Sequence, residues 1–228
     1  MDNTTRKLRY EVINFFLREC RPPTVQDLVN KGLGGERDVT TELEKLRDLH
    51  HVHLYEPGTP STTPIAMAHP FSHLPTPNIV TSQGKSWWCN CAWCAFGLVS
   101  MLSPRDAAVR ILTASGNAIT IPVSNDQIRD ERPLQNYYAV FSASPSKWWK
   151  DVRFACSGIQ VCTSREEAEQ WHEKHGFPPG DIITLEQLWK LSKAWYHDKA
   201  SFEYERMTEG QKEELFRDIG LTSKYWSS

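Results

Sequence analysis

Trp87-Trp88-Cys89-Asn90-Cys91-Ala92-Trp93-Cys94 runs directly into Ala95-Phe96-Gly97-Leu98-Val99-Ser100-Met101-Leu102, an apolar stretch closed by Ser103-Pro104. Such a run predicts a buried helix with thiols gathered at its N-terminal end. Residues three apart share a helix face, so Cys91 and Cys94 are expected to point the same way, with Cys89 outside the first turn. A helix N-terminus carries unpaired N–H groups and partial positive charge. It lowers a nearby thiol pKa from roughly 8.5 toward neutrality and raises the thiolate fraction that attacks electrophiles or binds metal. Cys156 is the third thiol expected to converge on the same point.

Upstream of this helix, residues 6–20 show helical periodicity through Leu8, Val12, Ile13, Phe16 and Leu17. Pro22-Pro23-Thr24 reads as a turn and a helix start with Thr24 as N-cap, and a third helical segment covers Val39 to Leu49. His50 to Tyr55 reads as a short strand. Three helices and a strand pair suggest a winged helix, with Pro57 to Pro64 as wing or linker and Pro70 to Pro77 as a second connection. The third helix carries Glu42, Glu44, Lys45, Arg47 and Asp48, too mixed in charge to hold a phosphate backbone. On a strand, His51 and His53 alone of the three nearby histidines could share a metal, and His50, His51 and His53 are read as exposed side chains.

Downstream, Val109–Leu112, Ala118–Val123 and Tyr137–Phe141 read as strands, with Ser115-Gly116-Asn117 as a hairpin turn and Pro133 as a breaker. Val152 to Val161 is expected as a further strand carrying Cys156 toward the sheet interior. Helices are expected at Ser164–His175, with a Ser164/Glu167 capping box, at Leu185–Tyr196, and at Thr208–Gly220. The predicted class is α+β: a winged-helix-like helical domain with linker (1–77), an antiparallel-sheet domain with flanking helices (78–202) and a helical extension (203–228).

The formal net charge of -2 over 228 residues argues against an electrostatically driven nucleic-acid or membrane partner. The chain shows no targeting segment and no membrane-spanning run, so the expected location is the cytosol. Six cysteines, three of them crowded into 89–94, read as reduced thiols rather than an extracellular disulfide framework. Cys20 and Cys162 are read as structural. Trp87, Trp88, Trp93, Trp148 and Trp149 either line an apolar pocket around the thiols or fill the core.

Four stretches together resemble the organomercurial (alkylmercury) lyase family: Trp93-Cys94 with its neighbours, Met67-Ala68-His69-Pro70-Phe71-Ser72, Asp151-Val152-Arg153-Phe154-Ala155-Cys156, and Glu167 to Gly176. The family pattern has Cys-x-x-Asp at the start of a core helix. A second cysteine lies before an acidic helix bearing a Trp and a Lys-His, matched here by Cys156, Trp171 and Lys174-His175. The resemblance implies two thiolates that bind the mercury of R–Hg⁺ and a carboxyl group that protonates the departing carbon. It also implies that the N-terminal domain covers the active site. Two registers fit the first motif. The preferred one places the family thiol on Cys91 and puts Cys94 at the aspartate; the other places the thiol on Cys94 and puts Gly97 there. The aspartate is absent in both, so a triad of Cys91, Cys94 and Cys156 is expected as catalytic and mercury-binding residues, better suited to capture than to turnover.

Three functions follow from these observations. The first is an alkylmercury-lyase-like enzyme with no resident cofactor, mercury entering as substrate metal. The second is a repurposed relative that cleaves or isomerises a small organic molecule in secondary metabolism. The third is a non-catalytic protein holding zinc or copper(I) on Cys89, Cys91, Cys94 and Cys156. A small-molecule substrate is the expected partner, and oligomeric state is not encoded in any feature of the sequence.

Overall fold

The chain opens with three helices, α1 (Asn3–Glu19), α2 (Val25–Val29) and α3 (Glu36–Asp48), in a computed structural model that describes residues 1–129, 136–149 and 151–227. Pro133 lies outside the described residues. Each helix start carries its own stop on fraying. The Asp2 carboxylate accepts the Thr5 N–H, Thr24 and Asp27 form a reciprocal capping box, and Asp38 accepts the Gly35 N–H at 2.9 Å. Leu8, Val12 and Phe16 of α1 and Val39, Leu43 and Leu46 of α3 are buried at three- and four-residue spacing, so the apolar stripes face each other.

A small antiparallel sheet follows, with strands β1 (His53–Leu54), β2 (Ile65–Ala68) and β3 (Phe71–Ser72) in that order. The histidines before it are not all exposed: His51 packs edge-on against Tyr204, and burial pushes its pKa down to about 2. Next come β4 (Ile79–Ser82), β5 (Lys85–Trp88), α4 (Ala92–Met101), β6 (Ala107–Leu112), β7 (Ala118–Ser124) and β8 (Gln127–Ile128). The five strands form one antiparallel sheet in the order β5-β4-β6-β7-β8. Period-two alternation decides which face is inside: Val109, Ile111, Ile119, Ile121 and Val123 are buried while Arg110 and Thr120 are exposed. Gly116 adopts φ 84° in the β6–β7 hairpin, a conformation other residues rarely reach.

The third sheet contains β9 (Tyr138–Phe141), β10 (Ile159–Cys162) and β11 (Asp181–Thr184), ordered β10-β9-β11 and antiparallel. Helices α5 (Val152–Ser157), α6 (Arg165–His175), α7 (Leu185–Tyr196) and α8 (Glu209–Asp218) complete the chain. The single strand expected over 152–161 is therefore two elements. Asp151 Oδ1 accepts the Arg153 and Phe154 N–H groups at 3.1 and 3.0 Å and starts a helix, and Gly158 ends it with an N–H bond to Phe154 O. Cys156 consequently sits in the last turn of α5, and the strand begins at Ile159. The box expected at α6 is also shifted: Ser164 caps Glu167 N–H, but the Glu167 carboxylate turns back to Thr163.

The result is a mixed α+β fold with N-terminal helices and antiparallel sheets, built on one continuous apolar core. The N-terminal helices join that core directly. Phe16 stacks on Phe71 at 4.8 Å between centroids, and Trp87 Nε1 donates to Phe16 O at 2.8 Å. Burying a side chain such as Phe16 or Leu98 contributes about 1.5–3 kcal/mol. The C-terminal segment joins it too, since Trp226 packs on Phe141, Trp148 and Phe216 and donates to Asp181. Cys162 lies apart in a minor cluster with Val140, Ala168 and Trp171, its thiol pushed up to about 12 by burial. Among the described residues no helix is long and apolar enough to cross a membrane.

Candidate active site

Residues 92–100 of α4 are all buried, and the helix N-terminus is inside the protein with them. Cys91 is its N-cap: the Cys94 N–H donates to Cys91 Sγ at 3.4 Å, a sulfur doing the task usually given to a Ser or Asp oxygen. Cys94, one turn in, is completely buried. Its Sγ lies 3.9 Å from Cys156 Sγ, 3.5 Å from His69 Nδ1 and 3.5 Å from the Tyr196 hydroxyl. The Cys91 and Cys94 thiols both interact with Cys156, so the three thiols singled out in the sequence do converge.

The group of donors that could share one metal ion is nevertheless a different one among the described residues. His69 nitrogen, Cys94 sulfur and Cys156 sulfur all lie within 4.8 Å of one another, a group that includes His69 and leaves out Cys91. His69 arrives from the β2–β3 turn, which the Phe71–Cys89 bridge and the Asn90 N–H bond to Pro70 O hold against the start of α4. Cys89 is buried beside them, and burial pushes its thiol well above the ordinary range.

The four thiols are electrostatically unequal. Burial alone would raise Cys94, but hydrogen bonds from Cys156 and Cys91 and the interaction with His69 outweigh it and hold that thiol well below its usual value. Cys91 is pushed up by burial, and Cys156 is pushed up by its hydrogen bonds to Cys91 and Cys94 and by burial. The depressed thiol is therefore Cys94, and its lowering comes from side-chain partners.

Beside the sulfurs is a cavity of about 30 Å³. His69, Trp93, Trp148, Trp149, Cys156, Trp195, Tyr196 and Lys199 are among its lining residues, so the tryptophans serve both as wall and as core. Trp93 makes edge or tilted contacts with Trp148, Trp195 and Tyr196 at 4.7–5.5 Å. Among the described residues its buried Nε1 meets no hydrogen-bond partner, and neither does His69 Nε2. Among the described lining residues there is no carboxylate.

Gly97 explains what occupies the next turn of α4. A Cβ placed there would lie 2.4 Å from Tyr196 Cδ2 and 2.7 Å from its Cε2 and Cγ. The phenol ring thus lies on the glycine backbone, with its hydroxyl reaching Cys94. Lys199 follows Tyr196 on the chain and is itself 4% exposed. Sequence reading gave no role to His69, Tyr196 or Lys199. The His69-Pro70 pair stood inside a recognised stretch, and Lys199 follows Trp195-Tyr196 within one helical turn, the only signals that could have pointed to them.

The sequence profile described as "MerB: Alkylmercury lyase" matches residues 71–197, more than half of the chain. No curated protein matches. Among solved structures the fold is similar to that titled "Crystal structure of the mercury-bound form of MerB2", with a TM-score of 0.66 at 19% identity. The similarity covers 88% of this chain and 100% of that one.

Proposed function

The chain belongs to the alkylmercury lyase family, and from that premise we propose that it captures an organomercurial R–Hg–X on Cys94 and Cys156 and protonolyses the carbon–mercury bond. The observation that carries this reading is the sulfur pair at 3.9 Å, one member of which has surroundings that hold its pKa well below the ordinary thiol range. Soft sulfur prefers soft mercury, and a second thiol beside the first completes a two-sulfur site. We assign the family's first thiol to Cys94 and its carboxyl position to Gly97, the register given second place from sequence. Cys91 then serves as the helix cap that fixes Cys94, and a third sulfur is available to hold the product. The aromatic wall accepts the organic group R and excludes water. The N-terminal helices and β1–β3, read as a winged-helix-like unit, act as its cover.

The test is incubation with phenylmercury and excess small thiol, following benzene release and bound mercury separately. Benzene with stoichiometric mercury retention supports the reading. Bound mercury without benzene refutes cleavage and leaves a capture protein. A second reading, a thiolate enzyme acting on a small organic electrophile, is favoured by the absence of a carboxylate among the described cavity-lining residues. It predicts phenylmercury as an inhibitor that is never cleaved. Zinc or copper(I) in the purified protein, on His69, Cys94 and Cys156, would instead favour a metal-binding role.

A further inference from the structure

Cleavage requires a proton on carbon, and Gly97 supplies none. Lys199 lines the same cavity as Cys156, His69 and Tyr196. Its Nζ lies 5.0 Å from the Tyr196 ring centroid, 5.7 Å from that of Trp149 and 5.8 Å from that of Tyr204. The backbone around it is fixed by α1: Arg9 donates to Lys199 O at 2.7 Å and Asn14 donates to Ala200 O at 3.0 Å. An amine has been built into an aromatic wall beside the thiols, at the edge of the residues matched by the family profile.

We infer that Lys199 is the acid–base residue of this site, taking the proton that Cys156 sheds on binding mercury and delivering it to the substrate carbon. The inference rests on the lyase reading above. The Cys94 thiolate displaces X⁻ from R–Hg–X and forms the first S–Hg bond. As Cys156 forms the second, its proton passes to the Lys199 amine. The carbon–mercury electron pair takes that proton, R–H leaves, mercury(II) stays on the two sulfurs, and Lys199 is an amine again.

Charge around Lys199 suits this cycle. Burial lowers its pKa to about 7, Arg206 and Arg9 push the same way, and Cys94 and Cys156 pull it up. Both forms are therefore present at neutral pH, where a general acid–base group is most effective. His51 faces the same cluster through Tyr204 and is held neutral by burial. Tyr196 and Tyr204 are phenols that burial pushes up, Tyr196 well above the ordinary range, so they are poor proton sources.

The experiment compares wild type, Lys199→Met and Lys199→Arg in single-turnover phenylmercury cleavage across pH 5–9. Mercury binding is measured in parallel, and the lysine side-chain ¹³C resonances of wild type are titrated with Lys199→Arg to assign the signal. Lys199→Met should lose about 100-fold in benzene release, within the 10²–10⁴ range of general acids, while still binding one mercury. The wild-type pH profile should bend near the ¹³C midpoint, and Lys199→Met should lack that bend. Wild-type rates and profile in Lys199→Met, or a Lys199 midpoint above 9, would overturn the inference and leave the lyase reading intact. No benzene from wild type would overturn both.

Discussion

Replacing Gly97 with alanine should destabilise this protein, although the same change in an open helix interior stabilises by about 1 kcal/mol. The added Cβ would sit 2.4–2.7 Å from three carbons of the Tyr196 ring, well inside the 3.4 Å at which ordinary contact begins. The ring has little room to retreat, because Tyr196 is 2% exposed and packs edge-on against Trp93 at 5.5 Å. Overpacking of this kind costs about 1–3 kcal/mol. Gly97→Asp adds a buried carboxylate, which costs several kcal/mol more unless it is paired or protonated. Urea unfolding of Gly97→Ala, Tyr196→Ala and the double variant measures the effect as a coupling energy. In the Tyr196→Ala background the alanine at 97 should be neutral or stabilising, and only there should Gly97→Asp fold well enough to raise benzene release. A Gly97→Ala protein as stable as wild type, or enhanced cleavage by Gly97→Asp alone, would refute the steric argument.

Lys199→Met should stabilise the protein most at low pH. Between 10.5 and about 7 only the unfolded chain holds the lysine proton, so wild-type stability falls as pH drops through that window. The full penalty below it is on the order of 5 kcal/mol, and chemical unfolding at pH 6 and pH 9 should show the two proteins converging at the higher pH. Cys156→Ser and Cys94→Ser should each lose thiol-resistant mercury binding while Cys162→Ser keeps it, as read by mercury retention after dialysis against small thiol. With its thiol held well below the ordinary range, Cys94 should react ahead of the other buried thiols, and its rate should rise less than tenfold per pH unit between pH 7 and 9. Peptide mapping after iodoacetamide treatment checks this, and a tenfold rise per pH unit would contradict it.

The apolar run through Leu102 had one plausible use, and it became α4 because no charge or breaker interrupts it. The strands β6 and β7 were legible for a similar reason, their alternation being strict. Cys156 was harder, since Val152-Arg153-Phe154 also alternates. What decided for helix was the Asp151 cap and the Gly158 stop, two local signals weaker than the pattern between them. Convergence of Cys91, Cys94 and Cys156 was visible in the sequence, but which sulfur would be depressed was not, because that depends on how Cys156, Cys91 and, after them, His69 are placed around Cys94 in the fold. Lys199 was hidden most completely. A lysine after a helix normally projects into water, and this one is buried where Arg9 donates to its carbonyl and Asn14 to that of Ala200, both more than 180 residues away in sequence. The same tertiary packing accounts for the glycine at position 97. Tyr196 rests where a side chain at 97 would begin, so glycine and tyrosine are one feature, and neither is free to change alone. With that turn of α4 closed, the proposed cleavage draws its proton from across the cavity, from the wall that Lys199 shares with the tryptophans.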